Sequence, residues 1–97
     1  MSEPKYEIMP RATRKVLNEI AYARSKQDIK WGEQNHSLER WLAILGEEYG
    51  EACRAVLELK PIKETIPGAW DLKLREELIQ IAAVAAAFLE YLQRIEK

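Results

Sequence analysis

The chain has 97 residues, enough for one domain with a core of its own, and its 15 Lys and Arg nearly balance 16 Asp and Glu to a net charge of -1. That balance leaves no basic surplus with which to hold a DNA or RNA polymer, and a hydrophobic fraction of 47% excludes a disordered chain. One cysteine, Cys53, and one histidine, His36, exclude an internal disulfide framework, a thiolate zinc cluster and a His-rich metal centre, so any chemistry here must rest on carboxylates.

Residues 1–10 read as an N-terminal lead and 11–97 as a single helical domain. The lead has no apolar run behind a basic patch, as a signal peptide would. The most apolar segment, Leu78 to Leu89, is interrupted by Gln80 and is too short for a membrane span. The expectation is a cytoplasmic protein without a membrane partner. Three segments show helical periodicity and none reads as a strand, which predicts an all-α fold with helices at 11–30, 38–60 and 71–96.

The first helix is expected to start at or just after Pro10, to carry a stripe of Val16, Leu17, Ile20, Ala23 and Ile29, and to stop at Gly32. Ser37 is the expected N-cap of the second, although Arg40 stands where a capping-box Glu would complete the motif. Its apolar positions Leu38, Trp41, Leu42, Leu45, Tyr49, Ala52, Val56 and Leu59 share one face, and Pro61 is expected to close it. Pro61, Pro67 and Gly68 bracket the next loop. The third helix, with Asp71 as its cap, runs through Leu74, Leu78, Ile81, Ala85, Phe88, Leu92 and Ile95. From Ile79 to Ala87 it is apolar or small nearly all round, the pattern of a helix wrapped by several neighbours. Three helices supply few neighbours, so an antiparallel bundle completing a four-helix core as a homodimer or homotetramer is expected. Gly46 and Gly50 suit a close helix approach, Cys53 reads as a small core residue, and Trp41 and Trp70 read as core or interface positions.

Two acids break the pattern. With Leu45 at zero and about 100° per residue, Glu48 falls near -60°, inside the apolar arc, while Glu51 lies on its border at about -120° and Glu47 is turned towards solvent. On the third helix, with Ile81 at zero, Glu77 falls at about -40°, between Val84 and Phe88, and Gln80 at about -100°. A carboxylate buried without a partner costs several kcal/mol or stays protonated. Two i,i+3 pairs on facing helices offer four oxygen-bearing side chains to one point, which a hard cation such as Mg²⁺ accepts. The other reading of the same spacing is an ordinary solvated flank of Glu, or acids paired with Lys and Arg.

Glu47-Glu48-Tyr49-Gly50-Glu51 resembles the EExxE motif of the MazG-like all-α nucleotide pyrophosphohydrolases. Glu77-Leu78-Ile79-Gln80 stands where that family has ExxD, and Trp31-Gly32-Glu33-Gln34-Asn35-His36 is similar to a segment of its small bacterial and phage members. The likeness spans roughly residues 15 to 92. It implies Mg²⁺-dependent hydrolysis of nucleoside triphosphates to the monophosphate and pyrophosphate, with Mn²⁺ as a substitute ion. Carried over by position, Glu48, Glu51 and Glu77 would be metal ligands with Gln80 beside them, and Glu47 the residue that orients or deprotonates the attacking water. Trp31 would stack on the nucleobase, with Asn35 and His36 bonding base or sugar, against a plain reading of Trp31 as packing over a helix end and His36 as a turn residue. Lys73 is a candidate phosphate contact, although basic residues at helix ends ordinarily face water. Gln80 in place of the motif Asp removes one charge. The alternative is therefore a non-catalytic dimerisation or nucleotide-binding module that has lost the reaction.

Overall fold

A computed structural model of the chain describes residues 8–65 and 71–96, which form three helices and, among the described residues, no strand: α1 Arg11–Trp31, α2 Leu38–Thr65 and α3 Asp71–Ile95. Three of the helix ends show a local cause. Pro10 (φ -53°, ψ 145°) stands ahead of α1 and its carbonyl accepts the Arg14 N–H at 3.1 Å. Gly32 ends the helix at φ 71°, a left-handed conformation that favours glycine, and its N–H donates to the Asp28 carbonyl at 2.9 Å. Ser37 Oγ accepts the Arg40 N–H at 3.2 Å, the N-cap bond expected for α2.

The far end of α2 departs from expectation. The helix continues to Thr65 instead of closing at Pro61. A proline lacks one N–H and costs the helix one bond, but it does not compel the backbone to leave helical geometry there. Trp70 and the Pro67–Gly68 part of the expected loop lie outside the described residues, as do the side chains of Leu59 and Asp71.

α3 is the central element and makes the contacts with both α1 and α2. Trp41, near the start of α2, meets Phe88 and Tyr91 near the end of α3, with ring centroids 5.4 and 5.9 Å apart. Farther along α2, Glu48 and Glu51 meet Glu77 near the start of α3, so the two helices run in opposite directions. Across the other face of α3, Arg24 of α1 grips both carboxylate oxygens of Glu90, from Nε at 2.8 Å and from an Nη at 2.9 Å.

The core is thin. Among the described residues its buried apolar members are Ala23, Trp41, Ala52, Ala55, Ala83, Val84 and Ala87, and Trp41 is the one large side chain fully enclosed. Alanine lets helix axes approach closely but contributes little transfer energy of its own. Much of the expected apolar face of α2 is left outside, since α3 covers only the side of α2 that holds Trp41, Ala52 and Ala55. Leu38, Leu42, Tyr49 and Val56 are exposed, as are Val16, Leu17 and Ile29 of α1. Cys53 is exposed too, and a Cβ added at Gly46 or Gly50 would meet nothing within 4 Å, so neither glycine serves a close approach within the chain.

α3 also corrects the expectation drawn from hydropathy. Leu72–Ile95 reaches a mean hydropathy of 1.4, long and apolar enough to cross a membrane by length and composition. The same composition suits a helix flanked on two sides, which is the position α3 occupies here.

Candidate functional site

The antiparallel pairing of α2 and α3 sets three carboxylates together. One oxygen from each of Glu48, Glu51 and Glu77 lies within 4.8 Å of the others. Glu51 is exposed, Glu48 half-buried, and Glu77 only 6% exposed. Their charges are poorly balanced. Lys73, one turn before Glu77, brings Nζ to 3.4 Å from its Oε1, while the other oxygen of Glu77 is buried with no hydrogen-bond partner. No Lys or Arg among the described residues forms an ion pair with Glu48 or Glu51. Among the described residues Lys73 is thus the one cation in ion-pair contact with the three acids, with Arg54 lining the same cavity as Glu51 and Glu77. Burial first, then the charges of Glu51, Glu77 and Glu47, raise the pKa of Glu48 above the ordinary carboxylate value. The unpartnered buried oxygen and the all-oxygen donor set fit a hard divalent cation, whose charge would match what Lys73 leaves unbalanced.

Glu48 also lines a cavity of about 470 Å³ between the start of α2, the end of α1 and the flank of α3, whereas Glu51 and Glu77 line a separate one with Arg54, Glu58 and Lys73. Glu47, Glu48 and Gln80 stand at the acidic end of the first, and Trp31, His36 and Trp41 at its aromatic end. The His36 ring meets Trp41 edge-on at 4.9 Å, and its Nε2 pairs with Gln34 Oε1 at 2.8 Å. Trp31 is 61% exposed, with Lys30 Nζ 4.8 Å from its ring centroid. A larger open groove of about 660 Å³ runs along α1 between Arg11 and Tyr22, but it gathers neither the acids nor the tryptophans.

Of the residues singled out in the sequence, Glu47, Glu48, Gln80, Trp31 and His36 therefore share one cavity, while Glu51 and Glu77 lie close to Glu48 but line a neighbouring one. Asn35 lines neither. Its amide donates to Glu33 Oε2 at 3.2 Å and its oxygen accepts from Arg94 at 3.1 Å, so both ends of the side chain are used in holding the loop. Lys73 stands at the cluster with Glu51 and Glu77, away from the aromatic end. Arg75, another basic residue of that helix start, is taken up by Glu19 of α1.

Sequence reasoning missed Arg94. From the last turn of α3 it donates to the Gln34 carbonyl at 2.8 Å as well as to Asn35, and it pairs with Glu33 at 3.6 Å. It fastens the 32–37 segment, and with it His36, against the end of the helix that carries Glu77. The only signal was a cation in a helix's last turn, which the dipole alone explains. Comparison of the chain with family models, with curated proteins and with solved structures finds no match.

Proposed function

We propose that this chain is a Mg²⁺-dependent nucleotide pyrophosphohydrolase that cleaves a nucleoside triphosphate to the monophosphate and pyrophosphate. The observation that carries the reading is the pairing of Glu48 and Glu51 on α2 with the buried, half-unpartnered Glu77 on α3. The resemblance of these positions to EExxE and ExxD supports the same assignment. Glu48, Glu51 and Glu77 hold the ion, with the uncharged Gln80 oxygen beside them. Bound there, Mg²⁺ (or Mn²⁺ in its place) neutralises phosphate charge and makes water a better nucleophile at neutral pH. Glu47, exposed at the cavity's acidic end, orients or deprotonates the attacking water. Trp31 and His36 hold the base and sugar at the other end. Lys73, already at Glu77 and in the cavity beside Glu51, meets phosphate.

The exposed apolar positions support an assembly. Leu38, Leu42, Tyr49 and Val56 are exposed and, with the half-buried Leu45 and the buried Ala52, alternate steps of four and three, the seam of a helix that packs along another. α3 alone covers only part of it. A second copy seated on this side of the helices completes a four-helix core and makes up for the thin alanine interior, as a homodimer or a pair of dimers. The cytoplasm, where Mg²⁺ and nucleotides meet, is the compartment that suits this activity.

Pyrophosphate release from a panel of NTPs and dNTPs with Mg²⁺, measured beside Glu48→Gln, tests the activity. Release by the wild type that falls at least about a hundredfold in the variant supports it. No release above the variant for any base overturns it, and favours the second reading, a nucleotide-binding module that Gln80 has deprived of turnover.

A further inference from the structure

The carboxylate cluster stands at the boundary of two cavities with different linings. Glu48 lines the one that holds Trp31 and His36, while Glu51 and Glu77 line the other, of about 420 Å³, with Arg54, Glu58 and Lys73. The first offers aromatic rings. The second offers none among the described residues, and two cations in their place. Arg54 is the group on that side that the proposed reaction leaves unused. It is exposed and stands three residues after Glu51 and four before Glu58, spacings at which a helical Arg ordinarily pairs with a Glu. Among the described residues it forms an ion pair with neither, nor with Glu77 across the cavity. Its guanidinium, with five N–H donors and a permanent charge, is left for a ligand. The acids lining this cavity outnumber the cations by one, so a polyanion is held there only alongside a divalent ion at the cluster.

We infer that Arg54, with Lys73, binds the two outer phosphates of the triphosphate and so selects a triphosphate over a monophosphate. The inference rests on the nucleotide reading above and adds where the polyphosphate end lies. Cleavage to monophosphate and pyrophosphate puts the bridge between the first and second phosphates at the carboxylates. The nucleoside then lies to one side of the cluster and the outer phosphates to the other. A nucleobase calls for a ring to stack on, which Trp31 supplies in the first cavity. The outer phosphates carry most of the charge and call for cations, which the second cavity supplies. An arginine suits the task better than a second lysine, because its planar fork engages two phosphate oxygens at once.

The test uses the full chain, with inorganic pyrophosphate as the probe of the outer phosphates and UMP, CMP, AMP and GMP as probes of the nucleoside side. Titration calorimetry should show pyrophosphate bound with Mg²⁺ and not in chelator. Arg54→Gln should weaken pyrophosphate about five- to twentyfold, the loss of the charge-assisted bonds of one guanidinium, and leave the monophosphates within about twofold. Arg54→Lys, which keeps the charge without the fork, should recover part of the loss. Because Arg54 is exposed, neither substitution should unfold the chain, and thermal melts check this. Equal pyrophosphate affinities in wild type and Arg54→Gln overturn the role of Arg54, while the nucleotide reading stands on the monophosphates. A loss that follows Arg40→Gln instead does the same, since Arg40 lines the aromatic cavity and would place the outer phosphates there. Absence of binding by pyrophosphate and by all four monophosphates overturns both.

Discussion

The rings of Trp41 and Phe88 stack with their centroids 5.4 Å apart and their planes 6° from parallel, and this contact fixes how far α2 is slid along α3. Glu48 lies two turns beyond Trp41 and Glu77 three turns before Phe88, so the stack sets the register in which the acids meet. Phe88→Ala should therefore lower stability by about 2–3 kcal/mol, less than a fully enclosed phenylalanine because Phe88 is half-buried. It should also weaken Mg²⁺-linked stabilisation although it touches no carboxylate. Thermal melts with and without Mg²⁺ check both. A variant that keeps the full Mg²⁺ shift would show that the register is set elsewhere.

The crowding of Glu48 gives a pH signature. Its carboxyl is raised above the ordinary carboxylate value of 4.5 by burial and by Glu51, Glu77 and Glu47, so the folded chain binds its proton more tightly than the unfolded chain does. Stability then falls as pH rises from about 4.5 through the raised value, and the deficit persists at neutral pH. In a chelator, Glu48→Gln should match the wild type at the acidic end and exceed it by a few degrees in Tm, roughly 2–5 °C, at pH 7. With Mg²⁺ the order should reverse, because the ion relieves the wild type alone. Melts from pH 4 to 7.5 in both buffers read this directly, and a variant less stable in chelator at pH 7 would contradict it.

Much of this site was legible before any coordinates. Helical periodicity located α1, α2 and α3, and angle arithmetic alone put Glu77 and Glu48 on inward faces and Glu47 outward, since a helix face follows from residue number. What periodicity does not carry is which inward arc receives a neighbour within the chain. Leu42, Tyr49 and Val56 carry the same apolar signal as Trp41, yet α3 covers only the Trp41 side, and Cys53 and the two glycines fall on the uncovered side. Long-range polar contacts were equally hidden. Arg94 and Gln34 are 60 positions apart, and nothing in the local pattern of either announces the other.

That contact makes Arg94 a positioning residue for the loop that carries His36. Arg94→Met keeps the length of the side chain and removes its donors to the Gln34 carbonyl and to Asn35. The expected result is faster amide exchange over 33–36, and nucleotide binding weakened about five- to twentyfold, for two bonds of a charged donor. The Mg²⁺ shift should be retained, because the acids are held by α2 and α3 alone. Hydrogen exchange with calorimetry separates the two effects, and an equal loss of Mg²⁺ binding would mean that Arg94 supports the whole fold.

Assembly through the exposed seam makes its own demand. Tyr49→Glu and Leu42→Glu place charge on solvent-facing positions, 65% and 60% exposed, so in an isolated chain each should be nearly neutral. If a second copy covers them, each should shift the mass measured by light scattering to that of a monomer of 11.3 kDa and lower the Tm in a concentration-dependent way. A wild type that is monomeric at tens of micromolar would remove the assembly outright.

Gln80 offers the sharpest separation of the two functional readings. It lines the cavity beside Glu47 and Glu48, where a fourth carboxylate would add charge to a cluster in which, among the described residues, Lys73 alone makes an ion pair. Gln80→Asp should lower stability in chelator, since a further acid joins an unbalanced group, and should tighten Mg²⁺ binding about tenfold, because affinity for hard cations rises with ligand charge. Turnover then decides between the readings. A wild type that releases pyrophosphate slowly, and a variant that releases it faster at saturating Mg²⁺, would identify the missing charge as the limit on a working enzyme. A variant that binds the ion more tightly and still releases nothing would leave an intact cation site without the reaction, and the module reading would take its place.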